Sequence, residues 1–178
     1  MKKLIIIATP FLIGAAFLLS ACGGKGGANT SAADSAAMMV QKNKQTAMAS
    51  EMAINKHDGD GVFKDCAPDY VDNGSGESKP MKADSAKASF KQFLVAFPDL
   101  KGDNLVCMGQ GDTVVVMGTW TGTFKKAFGG MKPTGKAFKV FDEDIFSFNK
   151  DGKITSHKSV QSINTYISQV SAVTPAGH

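Results

Sequence analysis

The chain predicts an α+β fold, with a curved antiparallel or mixed sheet and N-terminal helices packed over its concave face. Three observations carry this. Helical periodicity is gathered mainly in the first part of the chain, where apolar residues recur at helical spacing as far as Phe97. From Lys101 onward the spacing falls to every second residue, as in strands that bury one face. The strands are also too few to close a barrel, so helices must cover the concave side and a pocket lies between the layers.

Residues 34–56 are rich in Ala, Met, Gln and Lys and form a long first helix, with Ala37, Val40, Met48 and Met52 as its apolar stripe. Gly59 stops it, and Asp60 caps a short second helix through Val62 and Phe63, before Pro68. Tyr70-Val71-Asp72 is extended and leads into a Gly-Ser-rich loop over 73–80. Asp84 or Ser85 caps a third helix, whose apolar positions Ala86, Phe90, Phe93, Leu94 and Phe97 follow helical spacing until Pro98 ends it. Residues 105–108 form a strand, 109–112 a turn, and 113–124 a long strand with Val114, Val116, Gly118, Trp120, Gly122 and Phe124 on one face. Gly118 and Gly122 imply a bent or bulged strand that leaves room beside its backbone. Residues 125–136 make a loop long enough to cover a cavity mouth. A hairpin over 138–161 turns at Asn149-Lys150-Asp151-Gly152, and Ile163, Tyr166, Ile167 and Val170 line a short closing helix.

The N-terminus has a different character. Residues 1–21 carry Lys2 and Lys3, then an apolar run, and match a secretory signal rather than a spanning helix. Leu19-Ser20-Ala21-Cys22 resembles a bacterial lipobox, which implies cleavage before Cys22 and acylation of that residue. Gly23 rather than Asp follows, which favours the outer membrane of a Gram-negative cell, facing the periplasm. Residues 22–34 hold almost no large apolar group and form a flexible tether. The folded domain then spans 35–170, and 171–178 are a tail.

The formal net charge is +4, and all twenty basic residues are lysines scattered along the chain. The absence of arginine's bidentate fork and the scatter of the lysines both argue against nucleic acid, which is not an expected partner. In an oxidising compartment Cys66 and Cys107 either pair or stay as two separately buried thiols. Fragments at 58–61 and 149–154 resemble part of a calcium loop, but Ala67 and Lys158 stand where its bidentate Glu belongs, so both are turns.

The hairpin is the candidate site. Phe138, Val140, Asp142, Asp144, Phe146 and Phe148 share one face, apolar at both ends with two carboxylates in the middle. Burying an unpaired charge is costly, so the pair marks either a cavity with raised pKa values or a solvated rim with lysine partners. Surface carboxylates are the commoner case, which favours the rim. His157 either exchanges protons with a carboxylate such as Asp144 or only hydrogen-bonds across the hairpin. Tyr70 and Trp120 either line the cavity or pack the core, and His57 is structural, at a helix end.

Asp69-Tyr70-Val71-Asp72-Asn73-Gly74, Phe97-Pro98-Asp99-Leu100, Trp120-Thr121-Gly122-Thr123-Phe124, Pro133-Thr134-Gly135-Lys136, Asp144-Ile145-Phe146 and Asp151-Gly152-Lys153-Ile154 with His157 stand in an order that resembles the SnoaL-like branch of the nuclear transport factor 2-like cone fold. That branch includes polyketide or ester cyclases. The resemblance implies a cone-shaped pocket lined by Tyr70, Asp72, Trp120, Phe146 and Ser159, a homodimer through the sheet, and no metal or organic cofactor. It also implies departures. Asn73 stands where His is common, and Ser156, His157, Lys158 and Ser159 stand where the family reads Glu-His-Trp-Asp, so the family's acid/base carboxylate is Ser159 here. A serine hydroxyl does not replace a carboxylate base unaided. The resulting expectation is a lipid-anchored envelope protein that binds a small, partly apolar molecule. A proton-transfer enzyme using Asp142 or Asp144 with His157 is the alternative, and a protein-interaction domain using its sheet face is a third.

Overall fold

The computed structural model describes residues 31–75 and 79–171. The expected signal, the lipobox with Cys22, most of the tether and all of the tail but Ser171 lie outside them. In chain order the elements are α1 (Ala32–Ile54), α2 (Gly59–Val62), β1 (Cys66–Ser75), β2 (Met81–Lys82), α3 (Ala83–Ala96), β3 (Lys101–Gln110), β4 (Thr113–Thr123), β5 (Ala137–Phe148), β6 (Ile154–Ser159) and α4 (Ile163–Val170). The strands form one sheet in the order β2-β1-β6-β5-β4-β3. Only β1 and β6 pair in parallel, so the sheet is mixed. It is curved, with helices packed at it, as expected for the α+β class.

β4 and β5 form its spine through an unbroken antiparallel register from Thr113 opposite Ser147 to Thr123 opposite Ala137. Their inward residues alternate strictly with outward ones. Two apolar clusters fill the concave side. One gathers Leu94, Phe97, Leu100, Trp120, Phe124, Phe138, Val140 and Val170. The other gathers Ala47, Tyr70, Ala86, Val114, Val116, Phe146, Phe148 and Ile154. Between them, on the same face of β5, lie Asp142 and Asp144.

Several expectations need correction. α1 begins at Ala32, where Ser31 and Asp34 form a reciprocal capping box, so the last residues assigned to the tether are helical. Its buried face is Asn43, Ala47, Ser50, Glu51 and Ile54, whereas Ala37 and Met52 are exposed. Val40 and Met48 of the expected stripe are half-buried, Met48 packing against the cluster beneath the helix. Asp58, not Asp60, caps α2, through Gly61 N–H at 2.8 Å. Asp60 instead binds Lys87 and Lys91 of α3. α3 starts at Ala83 without any side-chain cap. β1 runs on to Ser75, into the segment expected to be loop.

Gly118 and Gly122 leave room, but for core side chains. The bulge is in β3, between Asp103 and Val106, and a Cβ at Gly118 would lie 2.5 Å from Leu105 Cδ2. One at Gly122 would lie 3.0 Å from the Phe138 ring. Cys66 and Cys107 are free thiols. They sit on strands separated by three others, roughly 19 Å at ordinary strand spacing, far beyond a disulfide's reach. His57 has the structural role expected, its Nε2 lying 3.2 Å from the Leu100 carbonyl.

Candidate functional site

The space between the two apolar clusters is a cavity of about 370 Å³. Its walls include Phe63, Phe90 and Phe93 from the helical layer, Trp120 and Phe146 from the sheet, and Phe128 from the 125–136 loop. All eight domain residues expected at the site border it: Tyr70, Asp72, Trp120, Asp142, Asp144, Phe146, His157 and Ser159. The inward alternation of β5 puts Asp142 and Asp144 below the surface, 1% and 8% exposed. The solvated-rim expectation is therefore wrong. β5 stays regular here, flanked on both sides by partner strands, and cannot turn its carboxylates outward without exposing Phe146 and Val140.

The two carboxylates have different neighbours. Asp142 accepts four hydrogen bonds, from the Ser159 hydroxyl (2.5 Å), the Tyr166 hydroxyl (2.5 Å), and the backbone N–H groups of Glu143 (2.7 Å) and Gln161 (2.8 Å). It ties β5 to the end of β6 and to α4. Ser159, where the family carries its carboxylate, thus serves as a donor to the neighbouring strand's carboxylate. Burial and this bond raise the Tyr166 phenol well above its ordinary pKa.

Asp144 faces the middle of the cavity, and His157 Nε2 lies 3.0 Å from its Oδ1. The other ring nitrogen of His157 lies 3.4 Å from Asp72 Oδ2. Asp72 is held in turn by the Tyr70 hydroxyl at 3.0 Å and the Gly74 N–H at 2.7 Å. Burial alone would strip His157 of its proton, but the bonds and charges of Asp144 and Asp72 outweigh it, and the imidazole titrates well above its ordinary value. Burial likewise opposes ionisation of Asp72, yet His157, Gly74 and Tyr70 together hold its carboxyl below the usual range. For Asp144 burial wins. Its pKa is raised, with the charges of Asp142 and Asp72 adding to the effect and His157 opposing it.

Glu51 is the site residue that sequence reasoning missed. It projects from α1 into the cavity, is 3% exposed, and its Oε2 has no hydrogen-bond partner among the described residues. Burial, then the charge of Asp144, push its pKa well above the carboxylate range. A signal was present: Glu51 follows Ala47 by four residues and precedes Ile54 by three, on one helical face. Tyr166 was read only as packing, though its polar tip needed a partner. One oxygen or nitrogen each from Glu51, Asp144 and His157 lie within 4.8 Å of one another, a set suited to hold a metal ion. Chemically, the site combines an apolar wall, a carboxylate–imidazole–carboxylate array, and one unpartnered acid.

Comparison with solved structures agrees with this architecture. AclR from Streptomyces galilaeus, a proposed hydroxylase, is 26% identical over 72% of this chain and 95% of its own, with a TM-score of 0.64. A proposed polyketide cyclase from Xanthomonas campestris pv. campestris is 20% identical over 75% of this chain and 99% of its own, with a TM-score of 0.65. A nuclear transport factor 2-like protein of unknown function from Burkholderia pseudomallei is 18% identical over 74% and 98%, with a TM-score of 0.58. No curated protein matches the chain. Residues 44–169, which include every wall of the cavity, match the SnoaL-like polyketide cyclase family, and the chain belongs to that family.

Proposed function

We propose that the domain binds a small, partly apolar molecule in its cone, and that acylation of Cys22 holds the protein in the cell envelope, at the outer membrane facing the periplasm. The observation that carries the binding reading is the cavity itself. Its volume of about 370 Å³ lies within the range of small-molecule sites, and aromatic rings wall a single polar group of residues. Native mass spectrometry of the purified full-length chain tests it. A co-purifying organic molecule that dissociates on denaturation is expected. No bound mass, together with no uptake of an apolar fluorescent probe, overturns the reading. For the anchor, Cys22→Ser is expected to release the protein from the membrane fraction, and unchanged fractionation refutes acylation there.

A specific observation favours a second reading, proton-transfer chemistry: the unpartnered acid Glu51 stands beside Asp144 and His157. Asp142, saturated by four donors, is better suited to hold the fold than to exchange protons. In this reading Asp144 takes a proton from a carbon next to a carbonyl, and Glu51 donates to the oxygen. Deuterium uptake by a panel of apolar ketones, followed by NMR, measures it. Asp144→Asn is expected to abolish uptake, and a variant as active as the parent ends the reading.

On the convex face Val106 and Met108 of β3 and Phe141 of β5, on either side of β4, are each more than half exposed. A second copy of the chain packed sheet to sheet would cover them. Sedimentation velocity is expected to show a dimer that Phe141→Lys dissociates. A monomeric parent refutes the pairing.

A further inference from the structure

Glu51, Asp144 and His157 reach the same part of the cavity from α1, β5 and β6, and we propose that they bind one first-row divalent transition ion, with Zn²⁺ the best fit to the donor set. The first support is the orphan. Glu51 Oε2 is buried, faces the cavity and has no hydrogen-bond partner among the described residues, an acceptor left uncompensated where burial is most costly. The second is the way His157 is held. Its Nδ1 faces Asp72, and Asp72 is fixed by Tyr70 and Gly74, the supporting arrangement that orients a ligating imidazole. Nε2 is thereby aimed at Asp144.

The spacing agrees. Nε2 and Asp144 Oδ1 are 3.0 Å apart. Tetrahedral ligands each about 2.1 Å from one ion stand about 3.4 Å apart, and all three donor atoms lie within 4.8 Å of one another, so small side-chain movements bring them onto one ion. The ion takes the place of the Nε2 proton, leaving Nδ1–H donated to Asp72. Charge agrees as well. Among the described residues that line the cavity, four are carboxylates, Glu51, Asp72, Asp142 and Asp144, and His157 is the only basic side chain. A divalent cation offsets that imbalance. One imidazole with two carboxylates suits Zn²⁺, Co²⁺ or Mn²⁺ better than Ca²⁺ or Mg²⁺, which prefer all-oxygen sets. Three protein ligands would leave a coordination position open to a water or ligand. The inference uses the same cavity as the binding reading but does not depend on an organic occupant.

The test is a titration of the chelator-stripped, full-length protein with Zn²⁺ and Co²⁺. One ion per chain is expected, with visible Co²⁺ absorption and saturable quenching of Trp120, the single tryptophan. Asp72→Asn is expected to weaken Zn²⁺ binding by about 10–100-fold, the usual effect of losing a supporting partner. Glu51→Gln should weaken it further, and His57→Ala should leave it unchanged. The proposal is overturned by an absence of saturable binding, or by folded Glu51→Gln and Asp144→Asn variants that bind as tightly as the parent. Should those variants not fold, the His157 ring resonances of the unaltered protein decide. Co²⁺ that shifts them supports the site, and resonances left in place refute it. A co-purifying organic molecule without ion binding ends this proposal and leaves the binding reading standing.

Discussion

Asp142 and Asp144 share a strand, a face and near-complete burial, yet they belong to two different regions of the polar row. At the α4 end, four donors converge on Asp142 and close that region. At the centre, Asp144 has His157 on one oxygen, and Glu51 stands nearby with a bare one. The difference teaches that burial does not by itself mark a carboxylate as functional. A buried charge satisfied by fixed donors is a structural tie. One facing a cavity beside an unpartnered acid keeps the capacity to bind or to exchange a proton.

The largest effect expected from this contrast is on stability. Asp142→Ala leaves two hydroxyls and two backbone N–H groups without their acceptor, and is expected to destabilise the fold by about 3–4 kcal/mol. Asp144→Asn relieves the repulsion from neighbouring carboxylates and is expected to stay within about 1 kcal/mol of the parent. Urea denaturation measures both, and equal losses would erase the distinction.

The next effect is on pH dependence. In the folded chain Glu51 and Asp144 retain protons above about pH 4, and His157 above about pH 6.5, where the unfolded chain has released them. The folded state therefore binds more protons, and stability in chelator is expected to fall as pH rises from mildly acidic to alkaline. Asp72, whose folded pKa is depressed, works in the opposite sense, and its contribution is lost only as pH falls below about 4. Melting curves at several pH values check this, and a Tm that climbs through neutrality contradicts it. Glu51→Gln and Asp144→Asn should each flatten the profile.

Tyr166→Phe removes one of Asp142's four donors and keeps the ring against Phe138. It is expected to cost about 1.5–3 kcal/mol, the range for a bond to a charged group and less than the loss of Asp142 itself. A cost near zero would show that the α4 tie is redundant. The mildest effect is on thiol labelling. Burial, followed by the charges of Asp72 and Asp65, pushes Cys66 up to about 12, so it is expected to react slowly at pH 8. Because Cys66 borders the cavity and Cys107 does not, a cavity ligand should slow Cys66 alone. Equal protection of both would place the ligand elsewhere.

Much of the closed region was legible in the sequence. The alternation through Val140, Asp142, Asp144 and Phe146 placed both carboxylates inward, and the same reading of β4 placed Val114, Val116, Trp120 and Phe124 inward. Those features repeat every second residue, and local backbone geometry enforces them. The rim expectation failed because a sequence shows which residues share a face but not what covers it. Glu51 was hidden for a related reason. Its helix was read from the stripe Ala37, Val40, Met48 and Met52, of which Ala37 and Met52 proved to be exposed, and Glu51 lay off that stripe.

The sequence alone determined the order of helices and strands, the inward face of the hairpin, the motif order shared with the SnoaL-like family, and Ser159 in place of a carboxylate. Only the tertiary structure decided that Ser159 and Tyr166 serve Asp142, that Glu51 meets Asp144 and His157, and that Cys66 and Cys107 lie on strands too far apart to join. Periodicity is a property of neighbouring residues, so the chain itself records it. The pairing of residues that are roughly a hundred positions apart, such as Glu51 and His157, depends on how a helix docks across a curved sheet, which no short stretch of sequence encodes.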